Sequence, residues 1–231
     1  MALKIGAVTI GETPRSDVLS DIKSLITTDI EIVEKGALDD LPADEIAGLA
    51  PTKDDEILIT RMRDGTELMV GRAGILPRMQ ERISELDRED NVALITLLCS
   101  GEFPTFYCAK PLITPYRLLW GVLSSISIKG SLGMMLPSPR QVKTTTAAFA
   151  RLGYTIVAVG VSPFGGEEGI VRAAEALRAK VDVVFMNCFG YDLEMKDIVR
   201  EITGKPIILP RSLLARTLDD LLSNIAARSS R

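Results

Sequence analysis

Short apolar runs alternate along the chain with segments whose apolar residues recur every three or four positions. That is the pattern of buried strands separated by amphipathic helices. Residues 4–10 form the first run, and a loop follows at 11–13. Thr13 is placed to cap a helix whose first residue is Pro14, where the missing N–H costs nothing. Val18, Leu19, Ile22, Leu25 and Ile26 give that helix one apolar stripe. A second strand is expected at 30–33 and a short helix at 42–49. Segments 56–62 and 67–71 flank Asp64-Gly65, the signature of a hairpin turn. Ile75, Met79, Ile83 and Leu86 mark the next helix, and the strand at 92–98 runs into Cys99.

Residues 100–116 are irregular, with Gly101 and prolines at 104, 111 and 115. Thr114 caps a helix that starts at Pro115, with Ile113 packing on Leu118, and the chain crosses here into a second lobe. A strand at 132–136 leads to Ser138, a cap followed by Pro139, Arg140 and Gln141, with Val142, Phe149 and Leu152 as the apolar face. Strands at 155–161, 181–187 and 207–209 then alternate with helices around 170–177 and 195–203. Asp192 is placed to cap the second of these, and Gly204 to end it. The last helix, at 212–225, carries Leu214, Leu218, Leu221 and Leu222, and residues 228–231 are expected to fray. The fold class is therefore α/β, with parallel sheets flanked by helices.

The two halves resemble each other. Each has a strand, a loop and then hydroxyl-Pro-Arg, as Thr13-Pro14-Arg15 and as Ser138-Pro139-Arg140. Each later has a buried strand ending in Cys-x-Gly, as Cys99-Ser100-Gly101 and as Cys188-Phe189-Gly190. Arg15 to Cys99 spans 84 positions and Arg140 to Cys188 spans 48. The excess of 36 is about the size of the segment around the hairpin at 57–71, so this segment reads as an insertion into a duplicated lobe. Chance is the competing explanation, because strand-to-loop junctions collect Gly, Ser and Pro. Ligands of open parallel sheets bind beyond the carboxyl ends of the strands. Two lobes related by an approximate two-fold axis would bring both thiols to one interlobe cleft.

Cys99 and Cys188 are the candidate catalytic residues. A thiolate at a strand end can accept backbone N–H bonds, and a thiol there can move a proton to or from carbon or attack an electrophile. Free cysteine is also a common core residue, and Cys108, with no counterpart in the other half, reads as packing. Arg15 and Arg140 can each grip a carboxylate, the alternative being an ordinary ion pair. Thr9, Thr13, Ser100, Gly101, Ser138, Asn187, Phe189 and Gly190 complete the candidate substrate contacts, although Thr13 and Ser138 need no role beyond capping. Glu102, Phe106 and Tyr191 are further candidates to line the cleft. Gly165-Gly166 matches neither a dinucleotide fingerprint nor a P-loop.

Composition narrows the chemistry. The 231 residues contain no histidine, which excludes a histidine triad, a His-ligated zinc and a histidine acid–base pair within the chain. Three cysteines without close spacing suggest neither a disulfide scaffold nor a metal knuckle, and point to a reducing compartment. A net charge of −4 without a basic block argues against nucleic-acid binding. No apolar run approaches a membrane span, and the early Glu12 and Arg15 do not suit a secretory signal. A cytoplasmic location is expected. The expected partner is a small anionic substrate, with neither nucleic acid nor membrane, and a homo-oligomer stays open.

The opening Val8-Thr9-Ile10-Gly11 with Pro14, the strand into Cys188-Phe189-Gly190 and the run from Pro206 to Leu214 resemble the AroM family. That family looks like a branch of the aspartate/glutamate racemase superfamily. The resemblance implies two pseudo-symmetric doubly wound, flavodoxin-like lobes around a cleft, and chemistry without a cofactor by one cysteine from each lobe. Cys99 and Cys188 match those positions. It also implies that the final helix returns to the first lobe, giving lobes of 1–112 with 212–231 and of 113–211. The loops Ser100-Gly101-Glu102 and Phe189-Gly190-Tyr191 depart from those of familiar amino-acid racemases. The function expected is a racemase or epimerase of a small carboxylic or amino acid, working by two-cysteine proton transfer. The alternatives are a maleate-isomerase-like or decarboxylase-like cysteine enzyme and a non-catalytic small-anion binding protein.

Overall fold

The computed structural model describes residues 3–53 and 55–229. The first unit runs to Leu118 and resumes at Leu214, and the second comprises Leu119–Leu213. The first contains β1 (Leu3–Thr9), α1 (Ser16–Ser24), β2 (Ile30–Gly36), α2 (Ala43–Gly48), β3 (Ile57–Arg61), β4 (Glu67–Gly71), α3 (Arg72–Asp87), β5 (Val92–Leu97) and β6 (Leu112–Ile113). The helix α4 (Pro115–Ser125) carries the chain into the second unit. There follow β7 (Ser131–Leu136), α5 (Pro139–Ala150), β8 (Thr155–Gly160), α6 (Glu167–Leu177), β9 (Val183–Met186), α7 (Leu193–Thr203) and β10 (Ile207–Ile208), before α8 (Pro210–Ser229). The helix at 212–225 thus begins two residues early, and its regular structure continues into the segment expected to fray; residues 230 and 231 lie outside the described residues.

Both sheets are parallel and wound in one order. The first is β2-β1-β5-β6 and the second β8-β7-β9-β10, so each places its second strand beside its first, then its third and fourth. Backbone bonds at the strand ends repeat as well. Ala37 N–H donates to Thr9 O at 2.9 Å, and Val161 N–H to Leu136 O at 2.8 Å. Leu98 N–H donates to Val8 O at 2.8 Å, and Asn187 N–H to Met135 O at 2.9 Å. The lobes are pseudo-symmetric. The β3–β4 hairpin is antiparallel, stands outside both sheets and falls between the second and third strands of the first lobe, where the spacing placed an insertion.

The apolar stripes explain the packing. Ile75, Met79, Ile83 and Leu86 of α3 are fully buried with Val8, Ile95 and Leu97 of the first sheet. In the second unit Ile170, Ala174 and Leu177 of α6 join Met135, Val184 and Val199. Leu25 and Ile26 fall beyond α1, and Leu152 lies past α5 with 58% of its surface exposed. Among the described residues no helix is long and apolar enough to cross a membrane.

Thr13 does not cap α1. The helix starts at Ser16 with Arg15 in the cap position and no side-chain cap bond, and the Thr13-Pro14 peptide is cis. The reason is loop length: residues 10–15 separate β1 from α1, whereas only 137–138 separate β7 from α5. Ser138 does cap its helix, accepting from Arg140 N–H at 3.3 Å with Pro139 first in the helix. Strands and sulfur turns therefore repeat between the halves, while the two proline-arginine pairs do not superpose.

Asp219 of α8 ties the chain's last helix to the segment after α1. Its carboxylate accepts from the amides of Thr27 and Thr28 at 2.9 and 3.0 Å and from both hydroxyls. These bonds, the Thr28 amide foremost, hold its pKa below the ordinary aspartate value. A lowered folded pKa stabilises the protein fully above the unfolded value of about 3.9, and the stabilisation is lost as pH falls through the folded value. Asp219→Asn should therefore lower the urea midpoint at pH 7, with the gap to wild type closing as the pH falls below about 4.

Candidate functional site

In each sheet the strand order reverses beside the first strand, so β1 with β5, and β7 with β9, release their loops at a topological switch point. Residues Thr9 to Arg15 leave β1 there and Cys99-Ser100-Gly101 leave β5. In the other unit Ser138 and Arg140 follow β7, and Asn187 to Gly190 follow β9. The structure thus gathers the candidates of each lobe at one edge of its own sheet.

The two sulfurs have matching local geometry. Gly101 N–H donates to Cys99 Sγ at 3.4 Å, and Gly190 N–H donates to Cys188 Sγ at 3.2 Å. Glycine leaves room for each tight turn. A Cβ on Gly190 would strike Pro163, and one on Gly101 would press Leu58 of the hairpin at 3.1 Å. Cys99 is half-buried and Cys188 is buried. Cys108 differs in having a carboxylate beside it: its Sγ lies 3.5 Å from an oxygen of Asp87, and burial, then that carboxylate, push its thiol pKa up against the opposing backbone N–H of Lys110. Its environment keeps it protonated.

The polar candidates divide. Arg15 is buried, with Nε and an Nη on the two Asp17 oxygens at 2.8 Å and its other Nη on Thr9 Oγ1 at 3.2 Å. Thr9 Oγ1 also accepts from Gly11 N–H at 3.3 Å, and Thr13 donates its hydroxyl to Asp39 at 2.7 Å. These three groups brace the 9–15 loop from inside. Arg140 is exposed, Ser138 is buried at its cap, and Ser100 and Asn187 are partly accessible. Phe189 is buried, as is Phe106 in the core beside Phe103. Tyr191 is fully buried with its hydroxyl on Val161 O at 2.7 Å, so it packs the core and cannot line a cleft as expected. Glu102 is exposed, and its carbonyl accepts from Arg72 at 2.9 Å.

Three further contacts bear on these loops. The hairpin seats Leu58 on Gly101 and Thr60 on Gly11, over both switch-point loops of the first lobe. Glu56, at the foot of β3, pairs with Arg72 at 3.3 Å while burial pushes its pKa up, which adds a titratable carboxyl near the Cys99 loop. Arg211, 1% exposed, donates to the carbonyls of Phe189 and Gly190. A periodicity analysis reads arginine as surface, so nothing in the pattern marked it. Among the described residues no cluster of His, Cys, Asp and Glu could hold a metal ion.

Arg15 yields a direct test of internal brace against ligand grip. Arg15→Met should destabilise folding by about 2 kcal/mol, because it strips charge-assisted bonds from Asp17 and leaves Thr9 short of a donor. Urea unfolding checks this, and an unchanged midpoint would show that the guanidinium is not structural.

No curated protein sequence matches the chain. Solved structures do. The allantoin racemase from Klebsiella pneumoniae superposes with a TM-score of 0.62 at 13% identity, covering 96% of this chain and 88% of its own. The maleate isomerase Iso from Pseudomonas putida S16 gives 0.61 at 11% identity, with 96% and 93% covered. The aspartate racemase of Picrophilus torridus gives 0.59 at 15% identity, with 95% and 94% covered. At these identities the likeness is one of fold: each of these proteins shares the doubly wound lobes described above. Residues 5–222 match the family described as AroM protein, and a match over nearly the whole chain, strand ends and sulfur turns included, places this protein in the AroM family.

Proposed function

We propose that the protein is a cofactor-independent isomerase that moves a proton at the α-carbon of a small carboxylic or amino acid, with Cys99 and Cys188 on opposite faces of that carbon. One thiolate takes the α-proton and becomes a thiol. The other, starting as a thiol, returns its proton to the opposite face and becomes a thiolate. The reverse direction exchanges their parts, so proton count and charge balance over the cycle. The observation that carries this reading is the repeated turn, in which a backbone N–H aimed at sulfur follows the equivalent strand in each lobe. Such a bond favours the charged form of the sulfur in either direction of reaction. The fold shared with racemases and a maleate isomerase is compatible with it. Ser100 and Asn187, beside the two sulfurs and partly accessible, are the polar side chains proposed to orient the acid, with Arg140 at the neighbouring helix start.

A single-thiol reaction, isomerisation or decarboxylation, is the second reading. It is favoured by the support of the Cys188 turn, whose Phe189 and Gly190 carbonyls accept from the buried Arg211. Solvent exchange separates the two. A panel of small 2-amino and 2-hydroxy acids is first screened by melting temperature and then incubated with the protein in deuterated water. Two-thiol chemistry predicts α-deuterium incorporation from both enantiomers of a stabilising acid. It also predicts a fall in racemisation of about 10²-fold or more in each of Cys99→Ser and Cys188→Ser. Full activity in either variant would contradict it. Stabilisation by an acid that survives loss of both thiols, without exchange, would instead indicate a binding protein.

A further inference from the structure

Arg211 is the second residue of α8, buried beneath the loop that carries Cys188. Both features of its position oppose a cation. The first turn of a helix is the positive end of its dipole, and a buried charge loses its hydration. Backbone carbonyls compensate: Nε donates to Phe189 O at 2.6 Å and an Nη donates to Gly190 O at 3.1 Å. The oxygen of Phe189 and the N–H of Gly190 belong to one peptide group, and that N–H is the one aimed at Cys188 Sγ at 3.2 Å. A positive charge on the oxygen side of an amide draws electron density from its N–H, so the hydrogen becomes a stronger donor.

We propose that Arg211 is a positioning residue that fixes the 188–190 turn and, through the Phe189–Gly190 peptide, stabilises the thiolate of Cys188. Its proposed action runs through that peptide. The inference rests on Cys188 being a working thiol, and it adds an asymmetry to the pair: Cys188 is favoured over Cys99 as the member that waits deprotonated. Titratable groups on the segments flanking the turn include Tyr191, Asp192 and Lys196. Tyr191 donates to Val161 O, Asp192 caps α7 through Met195 N–H at 2.8 Å, and Lys196 reaches Ser212 at 3.4 Å. The rest of the apolar cluster that contains Cys188 comes from residues such as Met135, Ile170, Ala173 and Val199, none of which titrates.

The test is a pH titration of protein carrying 13Cβ-labelled cysteine, read by NMR, which follows each thiol without needing substrate or reagent access. Arg211→Met should raise the midpoint of Cys188 by about one pH unit, while Cys99, in the other unit, moves by less than about 0.2. Arg211→Lys keeps the charge and one donor, so the rise should be smaller, about half a unit. An unchanged Cys188 midpoint in folded Arg211→Met overturns the proposal, and so does an equal rise of Cys99, which would report general loosening. If Arg211→Met does not fold, Arg211→Lys decides: a rise confined to Cys188 supports the proposal and no rise overturns it. Failure of the deuterium-exchange experiment would remove the proposed reaction while leaving this titration to stand or fall by itself.

Discussion

Burial alone favours the neutral thiol, so a sulfur at the end of a buried parallel strand carries negative charge more readily where backbone N–H groups are turned towards it. The Cys-x-Gly turn supplies such an N–H with the fewest residues, two positions separating the sulfur from its donor. Everything around the turns serves to keep that geometry. The parallel ladder fixes where each strand stops, and beyond the turns a side chain would press Leu58 at Gly101 and strike Pro163 at Gly190. The same balance separates the three cysteines. Cys108 also receives a backbone N–H, that of Lys110, but burial and the Asp87 carboxylate outweigh it and push its thiol pKa up.

The pseudo-symmetric lobes supply the turn twice, and the departures from symmetry set them apart. Gly36 and Gly160 end the second strand of each sheet, and each lies where the loop from the first strand crosses, so a side chain would meet Gly11 O or Pro139. That much is shared. Beyond it, the longer loop after β1 folds Arg15 inward onto Asp17 and Thr9, whereas the short loop after β7 starts its helix at once from Ser138. The first lobe also carries the hairpin over its loops, while the second carries Arg211 under its cysteine turn. One lobe is modified from above its sulfur and the other from behind it.

Strands, helices and the insertion were legible because each leaves a period or a punctuation mark in the sequence: the 75-79-83-86 stripe, the Asp64-Gly65 turn, the Asp192 and Gly204 caps. Cys99 and Cys188 stood out for the same reason, as repeated strand ends. What the sequence could not show were side chains whose role comes from contacts distant along the chain. Arg15 and Arg140 look alike beside their prolines, yet one is buried and the other exposed, because the loop lengths preceding their helices differ. Tyr191 follows a turn that looks accessible, yet its ring is core. Arg211 sits between Pro210 and Ser212 at a helix start, and its bonds reach back some twenty residues to carbonyls that no periodicity marks.

If both sulfur turns serve one carbon, each thiol should have its own enantiomer. The most direct measurement is α-proton exchange in deuterated water from each enantiomer separately, in Cys99→Ser and in Cys188→Ser. The remaining thiol can still remove a proton from the face it meets and return deuterium to that face. The two variants should therefore exchange opposite enantiomers without interconverting them. Exchange of the same enantiomer by both variants, or unimpaired racemisation by either, would contradict a reaction shared between Cys99 and Cys188.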